Sequence, residues 1–322
     1  MSSGKVFNSI LANQIEKFLA YHRALGKKYE NEEWALRLLD RFIDDQSDIV
    51  SIEHITPALL NQFLLSRPRS SHRSFNHLLS VLQRLFRWLI VQQVLTKSPL
   101  EALPRRVTQK RQPYLFQPSE VERLLEITAQ LTDGPQGYRR GLTYRMIFAL
   151  MYGLGLRVGE AACLSRHDVN LDAQYLHIRQ TKFSKSRLVP LGPRMTDAIQ
   201  QYLDAPTQIK LSPDDPVFSL SKDLRKPIKP GSISRTFRLL VKQMNLHIAP
   251  GVSAPRLHCL RHSFAVSTLV RWYRSGINPT QKLPYLSAFM GHVNPSSTVV
   301  YLTITTELLE LANERFEILK TT

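Results

Sequence analysis

Cysteine is scarce in this chain, and so is negative charge. Only Cys163 and Cys259 occur among 322 residues, too few for a disulfide framework, which places the protein in a reducing cytoplasm. No apolar run approaches the ~18–20 residues that cross a bilayer; the stretch from Trp88 to Leu95 is broken by Gln92 and Gln93. Residues 1–8 hold one lysine and no apolar signal region, which argues against secretion. There is no internal repeat, no low-complexity tract and no Gly-x-x-x-x-Gly-Lys-[Ser/Thr] phosphate loop, so nothing marks a nucleotide-hydrolysing site.

What is abundant is positive charge. Lys and Arg number 43 against 26 Asp and Glu, a formal charge of +17 at pH 7. Such an excess calls for a polyanion, with nucleic acid the first candidate and an anionic membrane surface the second. The charge is spread along the chain: residues 1–112 carry 17 basic and 10 acidic side chains, and residues 113–322 carry 26 and 16. Both halves therefore face the same partner. At 43% hydrophobic residues the chain has enough apolar material for two cores, as its length suggests at ~100–200 residues per domain.

Periodicity divides the chain. Ile10, Leu11, Ile15, Phe18 and Leu19 recur at helical spacing, and Trp34, Leu36, Leu38, Leu39 and Phe42 form a second apolar set. Thr56-Pro57 opens a short helix that ends near Arg67-Pro68, and a longer helix spans Ser71 to Val91 with Arg73, Arg84 and Arg87 interleaved among its leucines. Residues 1–103 thus read as a helical domain. Residues 104–115, with Pro104, Arg105, Arg106, Lys110 and Arg111, read as a basic linker. Residues 116–322 form the second domain. Helices are expected from Pro118, over Arg140 to Tyr152, after Gly231, and over 258–275, 283–290, 296–302 and 305–319. Tyr175 to Arg179 and Ser186 to Leu191 read as two strands joined through Lys182-Phe183-Ser184-Lys185. The fold class is mainly α with a small antiparallel β-sheet.

Five features of the second domain stand in order: Arg157 in Gly-Leu-Gly-Leu-Arg-Val-Gly-Glu, the hairpin lysine, His258-Cys-Leu-Arg261, Gly291-His292, and Tyr301 nine residues later. This set resembles the tyrosine recombinases of the phage-integrase family, firmly over residues 115–305; the N-terminal domain is similar in type and size to a core-binding domain. The resemblance implies a site-specific DNA recombinase working through a 3′-phosphotyrosine and a Holliday junction, carried by a bacterial mobile element, with chromosome-dimer resolution as the alternative role. It implies that Arg157 and Arg261 clamp the scissile phosphate, a task suited to planar bidentate donors. Tyr301 is then the nucleophile, and its ordinary pKa of ~10 requires help in losing a proton. His258 and His292 bind non-bridging oxygens and assist proton movement, Lys182 protonates the leaving 5′-oxygen with Lys185 as the alternative, and Glu160 orients Arg157.

Further expectations follow from the same likeness. Arg73, Arg84, Arg87, Arg105, Arg106, Lys110, Arg111, Lys185 and Arg187 are candidate DNA contacts. The amphipathic segment 305–319 either covers its own core or docks on an adjacent protomer of a homotetramer; accessory proteins are further candidate partners. No cofactor or metal is expected: His258 and His262 stand at i and i+4, but no glutamate follows the first histidine and Cys259 points elsewhere. Two departures stand out. The interval from Arg261 to His292 is longer than the family's common pattern, an enlarged loop that contacts DNA or a neighbouring subunit or else a tolerated surface insertion, and Phe183 stands where the family often has glycine. A type IB topoisomerase and a catalytically inactive DNA-binding relative are the competing functions.

Overall fold

A computed structural model of the chain describes residues 6–69, 71–106, 111–135, 137–179, 186–207, 209–292, 294 and 296–303. The chain forms two compact units, residues 1–110 and 111–322, each built on its own apolar core.

The first unit is helical: α1 (Ala12–Ala24), α2 (Glu30–Asp44), α3 (Pro57–Ser66) and α4 (His72–Val91). Local chemistry sets two of the starts. Thr56 Oγ1 accepts the Leu59 N–H and Ser71 Oγ accepts the Ser74 N–H, both at 3.2 Å, satisfying donors that the first helical turn leaves open. Leu11, Ile15, Phe18, Leu36, Leu39, Phe63, Leu85 and Phe86 are essentially inaccessible, each such side chain contributing about 1.5–3 kcal/mol. The buried Asp40 carboxylate accepts the N–H groups of Asn8 and Ser9 at 3.1 and 3.0 Å, tying the incoming chain to α2. Trp34, grouped by sequence with the apolar set, is more than half exposed, because Leu36, Leu39 and Ile43 define the inward stripe and Trp34 lies off it; the Arg69 guanidinium sits 5.6 Å from its ring.

The segment expected as a linker, 104–115, is occupied at both ends. Arg105 exchanges two 2.7 Å hydrogen bonds with the Asn76 side chain of α4. Gln112 pairs with the backbone of Gly251 and Ser253, and Tyr114 and Phe116 are buried in the second core.

The second unit runs α5 (Pro118–Ala129), α6 (Arg140–Gly153), α7 (Val158–Ala162), a three-stranded antiparallel sheet, α8 (Pro193–Asp204), α9 (Pro230–Gln243), α10 (His258–Arg274), α11 (Pro279–Met290) and α12 (Ser296–Val299), followed by a 3-10 turn over Val300–Thr303. The strands β1 (Val169–Asn170), β2 (Tyr175–Ile178) and β3 (Arg187–Pro190) lie in that order, with Val169 opposite Leu176 and Ile178 opposite Arg187. Leu176, Ile178 and Val189 face the core. Two elements were not expected: β1, two residues long and so without a readable alternation, and α8, whose Gly192-Pro193 start and buried Ile199 and Tyr202 are the signals that reveal it. Lys182, Phe183 and Lys185 lie outside the described residues, as do Lys110 and segment 305–319.

The long interval after Arg261 is largely helical, as expected over 258–275 and 283–290, with no enlarged loop between the two helices. It comprises the rest of α10 and the whole of α11, which opens at Pro279 with Asn278 Oδ1 accepting the Thr280 N–H at 3.0 Å. Ala265, Val266, Leu269 and Val270 face Leu283, Leu286 and Met290 in a small separate core that also buries Tyr301. Pro279 opens α11 and Pro284 lies inside it. Among the described residues no helix is long and apolar enough to cross a membrane.

Candidate active site

Two glycines in left-handed backbone conformation build the floor of the site. Gly155 (φ +61°) ends the turn after α6 and Gly291 (φ +65°) terminates α11, a conformation that costs residues with a Cβ about 1–2 kcal/mol. A Cβ at Gly155 would meet the Phe264 ring at 2.5 Å, and one at Gly291 would meet the Arg187 guanidinium at 2.7 Å. Their carbonyls then point to two arginines. Gly155 O accepts from Arg261 Nη1, and Gly291 O accepts from Arg157 Nη2 at 2.8 Å.

Arg157 caps α7 and is held a second time by Glu160, whose carboxylate accepts the Arg157 N–H at 2.9 Å and its Nη1 at 2.7 Å. The same carboxylate takes both Arg187 nitrogens, Nη1 at 3.0 Å and Nη2 at 2.9 Å, while Arg187 Nε donates to Phe289 O at 2.8 Å. Burial would raise the Glu160 carboxyl, but the hydrogen bonds and charge of Arg187, joined by Arg157, hold it below the usual carboxylate range. Arg261 is fully buried. Its Nη2 donates to Met290 O at 2.7 Å, its Nε has no partner, and no carboxylate lies within ion-pair distance of it among the described residues. Burial, then the Arg157 charge, pushes it down to about 10, so it stays protonated at neutral pH. Three guanidiniums thus stand around one carboxylate, which pairs with Arg157 and Arg187 and leaves Arg261 without an anion.

The histidines and the phenol close the cluster. Tyr301 is 2% exposed; burial raises its hydroxyl above the ordinary value, against the pull of Arg261 and Arg157. His262 Nδ1 lies 3.0 Å from Tyr301 Oη, and His292, stacked on the phenol ring, has its Nδ1 2.7 Å from Thr298 Oγ1. His258 meets His262 edge to face with ring centres 4.6 Å apart, its outer side open to solvent. All three rings are pushed down to about 4 and are neutral at pH 7. Burial is the first cause for each; Arg261 follows for His258 and His292, and His258 for His262. Among the described residues no group of three His, Cys, Asp or Glu side chains is placed to hold a metal ion.

The structure therefore brings Arg157, Glu160, His258, Arg261, His292 and Tyr301 together. It adds His262 and Thr298, which the sequence reading did not include. His262 was visible four residues after His258, on the same helical face, but had been weighed only as a zinc ligand. Arg187, expected as a DNA contact, is instead buried on Glu160, its side chain 11% exposed. Arg84 is likewise engaged, donating to Tyr29 Oη at 2.9 Å and lying 3.6 Å from Glu32. Arg73, Arg87, Arg106 and Arg111 are exposed, and Arg105, also exposed, covers the Phe75 ring at 3.8 Å.

Comparison with known proteins agrees with this constellation. The phage integrase family pattern matches residues 115–307. The Sinorhizobium fredii integrase/recombinase y4rB is 31% identical over 96% of this chain and 98% of its own, and tyrosine recombinase XerA of Pyrococcus horikoshii is 25% identical over 95% and 94%. The solved Tn1549 transposon integrase in complex with a circular intermediate DNA shares the fold at a TM-score of 0.65 and 18% identity, covering 94% of this chain and 99% of that one. A lambda integrase tetramer bound to a Holliday junction does so at 0.63 and 18%, over 91% and 80%. With the family pattern matched across the site and a relative alike from end to end, the chain belongs to the phage integrase family and is a tyrosine recombinase.

Proposed function

We propose that this recombinase cuts and rejoins duplex DNA at a specific site through a 3′-phosphotyrosine on Tyr301 and a Holliday-junction intermediate, in the integration, excision or resolution of a mobile element. One observation carries the assignment of the chemistry. Arg157 and Arg187 pair with the single carboxylate of Glu160, Arg261 has no anion beside it, and the three histidines are neutral, so the described site holds two uncompensated positive charges. A phosphodiester carries one negative charge, and its pentacoordinate transition state gathers a second. The site is therefore matched to the transition state more closely than to the ground state, which is the requirement for acceleration.

In this reading Arg157 and Arg261 hold the non-bridging oxygens with His258 and His292. Tyr301 Oη bonds to phosphorus as the bond from phosphorus to the 5′-oxygen breaks, and Lys182, with Lys185 the alternative, delivers the proton to that oxygen. The lambda integrase tetramer on its junction supports a homotetramer here, with segment 305–319 as the exchanged element. Arg73, Arg87, Arg105, Arg106, Lys110, Arg111 and Lys185 are the proposed phosphate contacts, Arg84 a weaker one. Arg187 is reassigned to positioning.

The test is covalent capture. Wild-type protein is incubated in chelator with nicked duplexes from a randomised library, and adducts that survive denaturation are sequenced to give the site. Wild type should form an adduct on that site and Tyr301→Phe none. No adduct on any duplex favours a binding-only relative, and relaxation of arbitrary supercoiled DNA without synapsis favours a topoisomerase.

A further inference from the structure

We infer that His262 is the general base for Tyr301, accepting the phenolic proton at Nδ1 as the phenol attacks phosphorus and returning it when the strand is rejoined. This rests on the recombinase reading above. His262 Nδ1 is 3.0 Å from Tyr301 Oη, hydrogen-bond distance for the transfer. Among the described residues it is the one histidine bonded to that hydroxyl. His292 stacks its ring on the phenol and turns Nδ1 to Thr298, and His258 faces His262 rather than Tyr301.

The charged and titratable neighbours give the base its timing. His262 is flanked on α10 by His258 and Arg261, and across from α10 by His292 and Tyr301. In the free protein this surrounding keeps the imidazole neutral, and an Nδ1 acceptor requires the proton on Nε2. A bare transfer from the phenol would be steeply uphill. Two events reverse that. The incoming phosphate offsets the Arg261 charge, which depresses the ring after burial and His258 have done so, and the forming bond between Oη and phosphorus makes the phenolic proton acidic. Transfer is therefore concerted with attack. The balance is complete: the Oη–H bond breaks as Oη bonds to phosphorus, the proton moves to Nδ1, and the 5′-oxygen departs with the proton from the general acid. Religation runs the same steps backwards.

The closing experiment uses the captured site with sulfur replacing the bridging 5′-oxygen, so that the leaving group needs no acid and a defect at Lys182 is bypassed. His262→Ala should still bind duplex but cleave this substrate at least 100-fold more slowly, with added imidazole restoring part of the rate. Its rate should climb with pH through the range where wild type levels off. His262→Asn, which keeps an acceptor near Nδ1 but cannot take a proton, guards against a folding defect: it should unfold like wild type and remain slow. Cleavage by His262→Ala within threefold of wild type overturns the inference, as does full activity in His262→Asn. Failure of wild type itself to form an adduct overturns the underlying recombinase reading instead.

Discussion

Glu160 answers to two cations at once, and its removal shows what single residues do here. Glu160→Ala leaves Arg157 and Arg187 without their shared anion in a largely buried setting, and breaking such a pair costs about 3–5 kcal/mol. Urea denaturation should show a loss of that size, with at least a tenfold fall in single-turnover cleavage as Arg157 loses its orientation; a change below about 0.5 kcal/mol would contradict the network. At this scale the sequence was legible where spacing carried the signal. Arg157, His258, Arg261, His292 and Tyr301 are read from ordered motifs, though Arg157 and Tyr301 stand far apart in the chain. What it could not carry was partnership. Arg187 looked like any basic residue beside a hairpin, and only the fold shows that Glu160 and Phe289 O have claimed it. The two glycine carbonyls that hold the arginines are backbone features with no side-chain signature.

At the scale of the element, α10 places His258 and His262 one helical turn apart, and α11 ends where His292 begins. Burial keeps their folded-state pKa values near 4, whereas in the unfolded chain a histidine titrates near 6.5. Between those values the unfolded state binds more protons than the folded one, so unfolding free energy falls as pH drops. From pH 7 to pH 5 the loss should be about 1–2 kcal/mol for each of His262 and His292, the solvent-open His258 adding less. Urea midpoints across that range test it, and a His262→Asn/His292→Asn double variant should flatten the dependence. The helices of this region were only partly legible. The helix expected over 283–290 begins four residues earlier, at Pro279, because proline at the first helical position opens a helix without adding to its apolar pattern. β1 was too short to alternate, and the mixed surface of α8 hid a stripe of two buried residues.

At the scale of the molecule, the +17 charge now divides between tasks. In the proposed function Arg157, Arg187 and Arg261 serve the site, and most other basic residues are left for the phosphate backbone. Duplex affinity should therefore fall by ~10³ or more between 50 and 200 mM salt, as expected when six or more phosphates are neutralised. A nearly flat slope in a fluorescence-anisotropy titration would refute that division. The two-domain plan was legible because apolar periodicity lapses around residues 98–113. The junction's true extent was not, because Asn76, Gln112 and Tyr114 fix its ends through contacts that no local pattern announces. One more property follows from Tyr301 being nearly sealed off from solvent. An ester formed there, as the proposed chemistry requires, would be screened from hydrolysis, although water outnumbers every other nucleophile in the cell. On the proposed chemistry the waiting 5′-hydroxyl is then the favoured way out of the intermediate, and cleaved DNA is resealed in preference to being left broken.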